Sequence, residues 1–390
     1  MKPQILVITS VYPRSPTDRY GSFIQETVVR LQETGMKLTV FAPAFEGSNH
    51  QLLDGVSIHR FRYFFKSYEN LTHGEGAPTK INNPLYLLIA FFYILAGTWQ
   101  CFGVCRQKKP DFIHVHWPFP HGLMAFPSSY FLKIPMIFSF HGAELLLASK
   151  FCFVAFILKR LLPYAKRVTA NSSFTQGLIS QLSPKPVSII PYGLTLTAKQ
   201  PKPRLVGEVP RLLFVGRLIE RKGLRYLLAA LPLILAECPV RLRVVGTGDE
   251  WTEIQQLCKK LEIQDIIDFL GVLSNEELAE EYASCDIFVL PSIVNRKGDT
   301  EGLGIVMIEA LAHCKPVVAT DVGGIADVIR SGETGLLVDE KNPSALAQAI
   351  LSLLHNPKLA QQMGEKGLAD VQSRFSWSRL ILLWQDIFQF

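Results

Sequence analysis

The chain has 390 residues, 48% of them hydrophobic and 19% charged, which provides apolar material for two buried cores and excludes global disorder. Its 40 basic and 34 acidic residues leave a net charge of +6. That mild excess contains no dense Lys/Arg block interleaved with aromatics, so it argues against a nucleic-acid partner and fits contact with an anionic lipid surface at least as well.

From the N-terminus, Ile5–Thr9 reads as a first strand and not as a signal peptide, because the apolar stretch is short and no small-residue cleavage site follows. The seven cysteines are odd in number and show no C-x-x-C spacing, so they read as small buried hydrophobes in a reducing compartment, and a cytoplasmic location is expected. Gly21 opens a helical pattern over Phe23–Gln32, Gly35 stops it, and Leu38–Ala42 is a second strand. The stretch from Leu85 to Val104 is almost wholly apolar and, at about 20 residues, long enough to span a bilayer. A span there would put Ile5–Thr9 and Phe112–His116 on opposite sides of a membrane, although both look like neighbouring strands of one parallel sheet. A buried crossover helix is therefore the expectation, with contact between one helix face and a membrane left open.

Met136–Phe140, Val168–Ala170 and Val187–Ile190 are further strand candidates, and apolar strands separated by helices argue for a parallel sheet covered on both faces. His114 and His116 alternate on one strand and share a face; no third ligand with metal spacing stands nearby. Between Lys150 and Arg167, five basic residues surround apolar ones in an amphipathic pattern suited to peripheral membrane contact at the inner face.

A Pro-rich stretch with few apolar residues then intervenes, after which the alternation restarts at Leu212–Val215, Arg241–Val245, Ile287–Leu290 and Val317–Thr320. Helices are expected at Leu224–Leu235, Glu276–Ser284, Ile305–Ala312 and Ala345–Leu354. The resulting division is 1–196, a linker over 197–210, 211–372, and a C-terminal helix within 373–390 that packs back on the first domain. Two such α/β halves place ligands at the carboxyl ends of their strands, facing a central cleft.

Chemistry concentrates at the strand ends of the second half. Glu301-Gly302-Leu303-Gly304 leads into Ile305-Val306-Met307-Ile308-Glu309, so one carboxylate stands in a Gly-rich turn and another about two turns along the next helix. The glycines admit a ligand to the backbone, the helix start suits an anion, and a carboxylate can accept bonds from adjacent sugar hydroxyls. Gly216-Arg217 ends another strand, with Glu220-Arg221-Lys222-Gly223 close behind, and cations framed by glycines suit a diphosphate. The plainer readings, an acidic helix start and an exposed basic loop, lose ground because the features converge with Asp321-Val322-Gly323-Gly324 at successive strand ends.

Phe214-Val215-Gly216-Arg217-Leu218, Lys222-Gly223, Val244-Val245-Gly246-Thr247-Gly248, Pro291-Ser292, Glu301…Glu309 and Gly323-Gly324, continuing through Gly332–Val338, resemble the retaining GT-B glycosyltransferases of the "glycosyl transferases group 1" family. The first half resembles it more loosely, through Gly21 and Ser139-Phe140-His141-Gly142-Ala143-Glu144. The resemblance implies two Rossmann-like domains and transfer of a sugar from a nucleotide-sugar donor to a glycan or lipid-linked acceptor. It implies that Arg217 and Lys222 hold the donor diphosphate beside Gly216, that Glu309 binds the ribose, and that Glu301 accepts bonds from the transferred sugar. Backbone N–H groups around Gly302, Leu303, Gly304 and Ile305 would support phosphate and sugar. His141 would face the donor sugar, Gly21 would admit a phosphate, and His116 would line the acceptor side while His114 is structural. No metal or other cofactor is expected, because Arg217 and Lys222 would supply the charge and no Asp-x-Asp motif occurs.

Rivals remain open. A dehydrogenase fails because Gly246-Thr247-Gly248-Asp249-Glu250-Trp251 has tryptophan where G-x-G-x-x-G needs its last glycine. A nucleotide-sugar epimerase and a non-catalytic sugar-binding subunit share the fold. Donor sugar, nucleobase and acceptor are not encoded in any motif.

Overall fold

A computed structural model describes residues 2–15, 18, 20–45, 47, 49–73, 80, 83–202 and 207–389. The chain forms two compact units, Met1–Pro191 with Leu380–Phe390, and Tyr192–Arg379.

The first unit runs β1 (Gln4–Ile8), α1 (Ser22–Glu33), β2 (Lys37–Pro43), β3 (His50–Leu53), β4 (Val56–Phe61), α2 (Pro84–Lys108), β5 (Phe112–His116) and α3 (Pro118–Leu132). It continues with β6 (Met136–Phe140), α4 (Ala143–Lys150), α5 (Cys152–Leu161), β7 (Ala165–Ala170), α6 (Ser173–Ser180) and β8 (Val187–Ile189). Its eight strands lie in the order β3-β4-β2-β1-β5-β6-β7-β8. All neighbours are parallel except β3, which turns back on β4 through Asp54-Gly55, both at positive φ. The central strands are buried on both faces, as their mostly apolar sequences require, and His114, His116 and Ser139 are buried with them.

Parallel pairing of β1 with β5 holds both ends of α2 to one unit, so this helix is a crossover. It departs from the expectation of a buried helix in one respect. Ile89, Tyr93, Gly97 and Cys101 face the core, while Leu88, Phe91, Leu95 and Trp99 face outward. A helix apolar on every side carries no signal as to which side is covered.

The second unit runs β9 (Arg211–Val215), α7 (Leu224–Leu235), β10 (Arg241–Val245), α8 (Trp251–Lys260), β11 (Ile267–Gly271), α9 (Asn275–Ser284) and β12 (Ile287–Leu290). Then follow α10 (Ile305–Ala312), β13 (Val317–Thr320), β14 (Gly335–Val338), α11 (Pro343–Leu354), α12 (Pro357–Arg374) and α13 (Trp377–Ile387), whose residues from Leu380 onward group with the first unit. Six parallel strands lie in the order β11-β10-β9-β12-β13-β14, with one apolar cluster on each face of the sheet. Within the stretch read as a linker, Lys199 and Lys202 both pair with Glu280 of α9, and Lys202 N–H donates to Ala283 O. Residues 203–206 of that stretch lie outside the described residues.

Among the parallel strands of each sheet the order reverses once, between β1 and β5 in the first and between β9 and β12 in the second. The loops that follow these strands diverge, leaving room for a ligand at the carboxyl ends. Arg217 follows β9 and Glu301 follows β12, while Gly21 follows β1 and His116 ends β5.

Candidate active site

In the second unit the loops at the switch point are held together by glycines. Gly246, at φ +126°, packs so closely on Gly216 that a Cβ would collide with the Gly216 carbonyl oxygen, and Gly223, at φ +65°, stands in the same relation to Pro291. Gly323, at φ +59°, abuts the Glu301 carbonyl, which also accepts from Gly324 N–H at 2.9 Å. Gly323 takes up a conformation that L side chains rarely adopt, and the β13 turn thereby fixes the backbone of Glu301.

Glu301 is buried, and its Oε2 pairs with Lys222 Nζ and lies 3.1 Å from Arg221 Nη1. Burial alone would raise its pKa; the Lys222 and Arg221 charges outweigh that and hold the carboxyl at about 2. Lys222 shifts downward from its ordinary value, chiefly through burial and against the pull of Glu301, with the Arg221 charge adding to the decrease. The carboxylate faces two cations, whereas the ammonium faces Glu301, with Asp299 the smallest contributor, against a neighbouring guanidinium, so the two groups respond unequally. Arg221 also lies 3.5 Å from Asp299 and ties the loop before Glu301 to the same cluster. Arg217 is exposed, and among the described residues its guanidinium forms no ion pair.

Gly304, in the left-handed region at φ +83°, opens α10 without a side-chain cap. The first N–H groups of α10, from Ile305 and Val306, have no partner within the helix, an arrangement that suits an anion. Leu303 is buried beneath this turn and Gly302 is partly exposed. Glu309 sits one turn into α10, not two, because the helix begins only at Ile305. Tyr282 of α9 donates to its Oε2 at 2.9 Å, and His313 Nδ1 lies 2.7 Å from its carbonyl oxygen, with the His313 ring stacked on Tyr282. Sequence reasoning does not single out Arg221 or Tyr282. Arg221 adjoins Lys222 in a charged turn where spacing does not say which side chain turns inward, and Tyr282 reaches Glu309 across two elements.

The first unit gathers histidines at the ends of β5 and β6. His116 Nδ1 lies 2.9 Å from His141 Nε2, and the rings stack at 5.1 Å. His114 Nε2 lies 2.7 Å from Ser139 Oγ, and His121 bridges the His116 carbonyl and the Tyr93 hydroxyl. Burial lowers all four pKa values, to about 3 for His114 and His141 and about 4 for His121, so the rings are neutral. His141 N–H donates to Glu144 Oε1 at 2.9 Å, and burial pushes the Glu144 carboxyl up to about 7. Phe23 of α1 packs edge-on against His141, which brings the helix capped by Gly21 to the same place. Gly21, at φ +85°, lies against the Val11 backbone. Both His114 and His116 are buried in this cluster. Among the described residues no group of three or more His, Cys, Asp or Glu is arranged to hold a metal ion.

Comparison with known proteins agrees with this architecture. Residues 197–370 match the family described as Glycosyl transferases group 1, and residues 21–197 match Glycosyltransferase Family 4. TuaC of Bacillus subtilis, a teichuronic acid biosynthesis glycosyltransferase by name, is 29% identical over 95% of this chain and 94% of its own. Among solved structures, sucrose-phosphate synthase from Thermosynechococcus elongatus superposes with TM-score 0.78 at 21% identity, over 99% of this chain and 98% of that one. HepE of Anabaena, solved in complex with UDP, gives 0.74 at 17% identity, over 99% of both chains. The two matches adjoin at residue 197 and together run from 21 to 370, and the chain belongs to the GT-B glycosyltransferases of the family 4 type.

Proposed function

We propose that this glycosyltransferase takes its sugar from a nucleoside diphosphate donor and transfers it, with retention of configuration, to a hydroxyl of a glycan or lipid-linked acceptor. The observation that carries the reading is the ion cluster Arg221–Lys222–Glu301 at the switch point of the second sheet. A carboxyl held at about 2 cannot protonate a leaving group near neutrality. Glu301 therefore serves as an acceptor of hydrogen bonds from the hydroxyls of the transferred sugar. Arg217 and Lys222 neutralise the diphosphate, the N-terminus of α10 adds N–H groups, and Glu309, steadied by Tyr282, takes the ribose hydroxyls. His141, neutral through burial, offers a ring nitrogen to a sugar hydroxyl.

As the bond from the anomeric carbon to the phosphate oxygen breaks, charge moves onto the diphosphate, where the cations stabilise it. The acceptor oxygen attacks from the same face, and its proton passes to the departing phosphate oxygen, so no separate base is required. This reading needs no divalent metal. HepE, which has the same fold, is solved with UDP, which supports a nucleotide donor, and TuaC is by name a glycosyltransferase of teichuronic acid biosynthesis, which supports a glycan acceptor. We place the enzyme in the cytoplasm, where such donors are made.

The test is thermal unfolding with UDP, GDP and ADP for wild type and Glu309→Ala. At 100 times its dissociation constant a nucleotide adds about 2.7 kcal/mol of stability. One of the three should stabilise the wild type and lose that effect in the variant. Indifference to all three would overturn the donor assignment.

A further inference from the structure

The first unit carries an apolar surface that sugar transfer does not use. One face of α2 packs inward, with Gly97 against Met124 of α3. The opposite face presents Leu88, Phe91, Leu95 and Trp99, with Phe91 60% and Trp99 82% exposed. These positions recur at helical spacing and form one stripe. The neighbouring helices extend it, since Phe131 at the end of α3 and Phe156 on α5 are 69% and 58% exposed. α3 joins the two, its Tyr93–His121 bond reaching α2 and its Gly122 packing on Leu161 of α5. Large apolar side chains gathered on one exposed helix face mark an interaction site.

Charge selects what covers it. Residues 84–167 contain nine basic residues and two acidic ones, Asp111 and Glu144, an excess larger than the +6 of the whole chain. All nine basic side chains are exposed and Glu144 is buried. Two of them stand over aromatic rings of this surface, Arg160 at 5.1 Å from Phe156 and Lys133 at 5.2 Å from Tyr130. Face-to-face pairing of two copies would oppose like charges. An anionic bilayer offers an apolar interior beside phosphates, which matches both features.

We propose that the α2–α3–α5 face docks the enzyme on an anionic lipid bilayer, with α2 lying along the surface and Phe91, Leu95, Trp99 and Phe156 entering the boundary between headgroups and acyl chains. The basic side chains pair with lipid phosphates. That the acceptor is itself lipid-anchored rests on the glycosyltransferase reading above; the docking does not.

Co-sedimentation of the full chain with vesicles tests this, using phosphatidylcholine alone and phosphatidylcholine mixed with phosphatidylglycerol. Binding is expected to the mixed vesicles and to weaken in high salt. Phe91→Ser combined with Trp99→Ser should lower the partition coefficient at least about tenfold. Arg160→Gln should lower it about fivefold on anionic vesicles only. Both variants alter exposed positions and should keep the wild-type melting temperature and the nucleotide-induced stabilisation, so a failed donor reading and a failed docking reading remain distinguishable. Absence of binding to anionic vesicles, or binding that the double variant retains, would overturn the proposal. So would self-association that the double variant abolishes in a chain indifferent to vesicles.

Discussion

At the residue scale, Glu301 couples stability to pH. Its folded pKa of about 2 lies below the ordinary value of 4.5, so between these values the unfolded chain binds more protons and stability rises with pH. The contribution is fully present above about pH 4.5 and is lost as pH falls through 2; the shift amounts to roughly 3 kcal/mol. Glu301→Gln leaves Lys222 buried without its carboxylate and should be less stable than wild type by that order at pH 7. The difference should narrow steadily toward pH 2 in denaturant titrations; a pH-independent difference would mean that Glu301 is not held by its cations. Spacing and glycines alone point to Lys222, Glu301 and Glu309, because loops that need unusual backbone angles announce themselves in sequence. The partners that set their charge do not. Arg221 and Tyr282 act through contacts made across 80 and 27 positions of chain, and no local pattern encodes those.

At the element scale, two glycines in the same site have different reasons to be glycine. Gly323 lies in the left-handed region against the Glu301 carbonyl, so Gly323→Ala must displace one backbone or the other. A cost of about 2 kcal/mol or more is expected, read as a lower melting temperature together with loss of nucleotide binding. Gly216 needs no positive φ, and the nearest atoms a Cβ there would meet are the Lys222 methylenes, at 3.5 Å, an ordinary contact. Gly216→Ala should leave stability within about 1 kcal/mol and still weaken nucleotide binding, because the added methyl occupies the strand end where the proposed diphosphate lies. A variant that binds nucleotide normally would place the ligand elsewhere. The strands that carry these loops are legible, with β5, β6, β10, β12 and β13 falling where short, mostly apolar runs between helical patterns indicate. β3, β4 and β11 are less so, since they mix polar residues into runs of four to six. The outward face of α2 is illegible for the opposite reason, because its sequence is apolar throughout.

For the whole molecule, the grouping of the C-terminal residues with the first unit ties the two ends of the chain to one fold. A C-terminal helix is legible in sequence, but the surface it covers emerges only in three dimensions. Trp384 is 6% exposed and lies against His114 at 5.0 Å, while Phe388 reaches both His114 and Phe112 at the central strand β5. Earlier in the same helix, Trp377 donates its indole N–H to Leu194 O, a contact internal to the second unit. The two tryptophans therefore serve different units. Trp384→Ala opens a cavity over β5 and should cost roughly 3–5 kcal/mol, with faster hydrogen exchange confined to β1, β5 and β6. The same variant should keep its response to nucleotide, because Glu301, Lys222 and Glu309 belong to the other unit. Exchange that quickens instead across β9 and β12 would assign the tail to the wrong core.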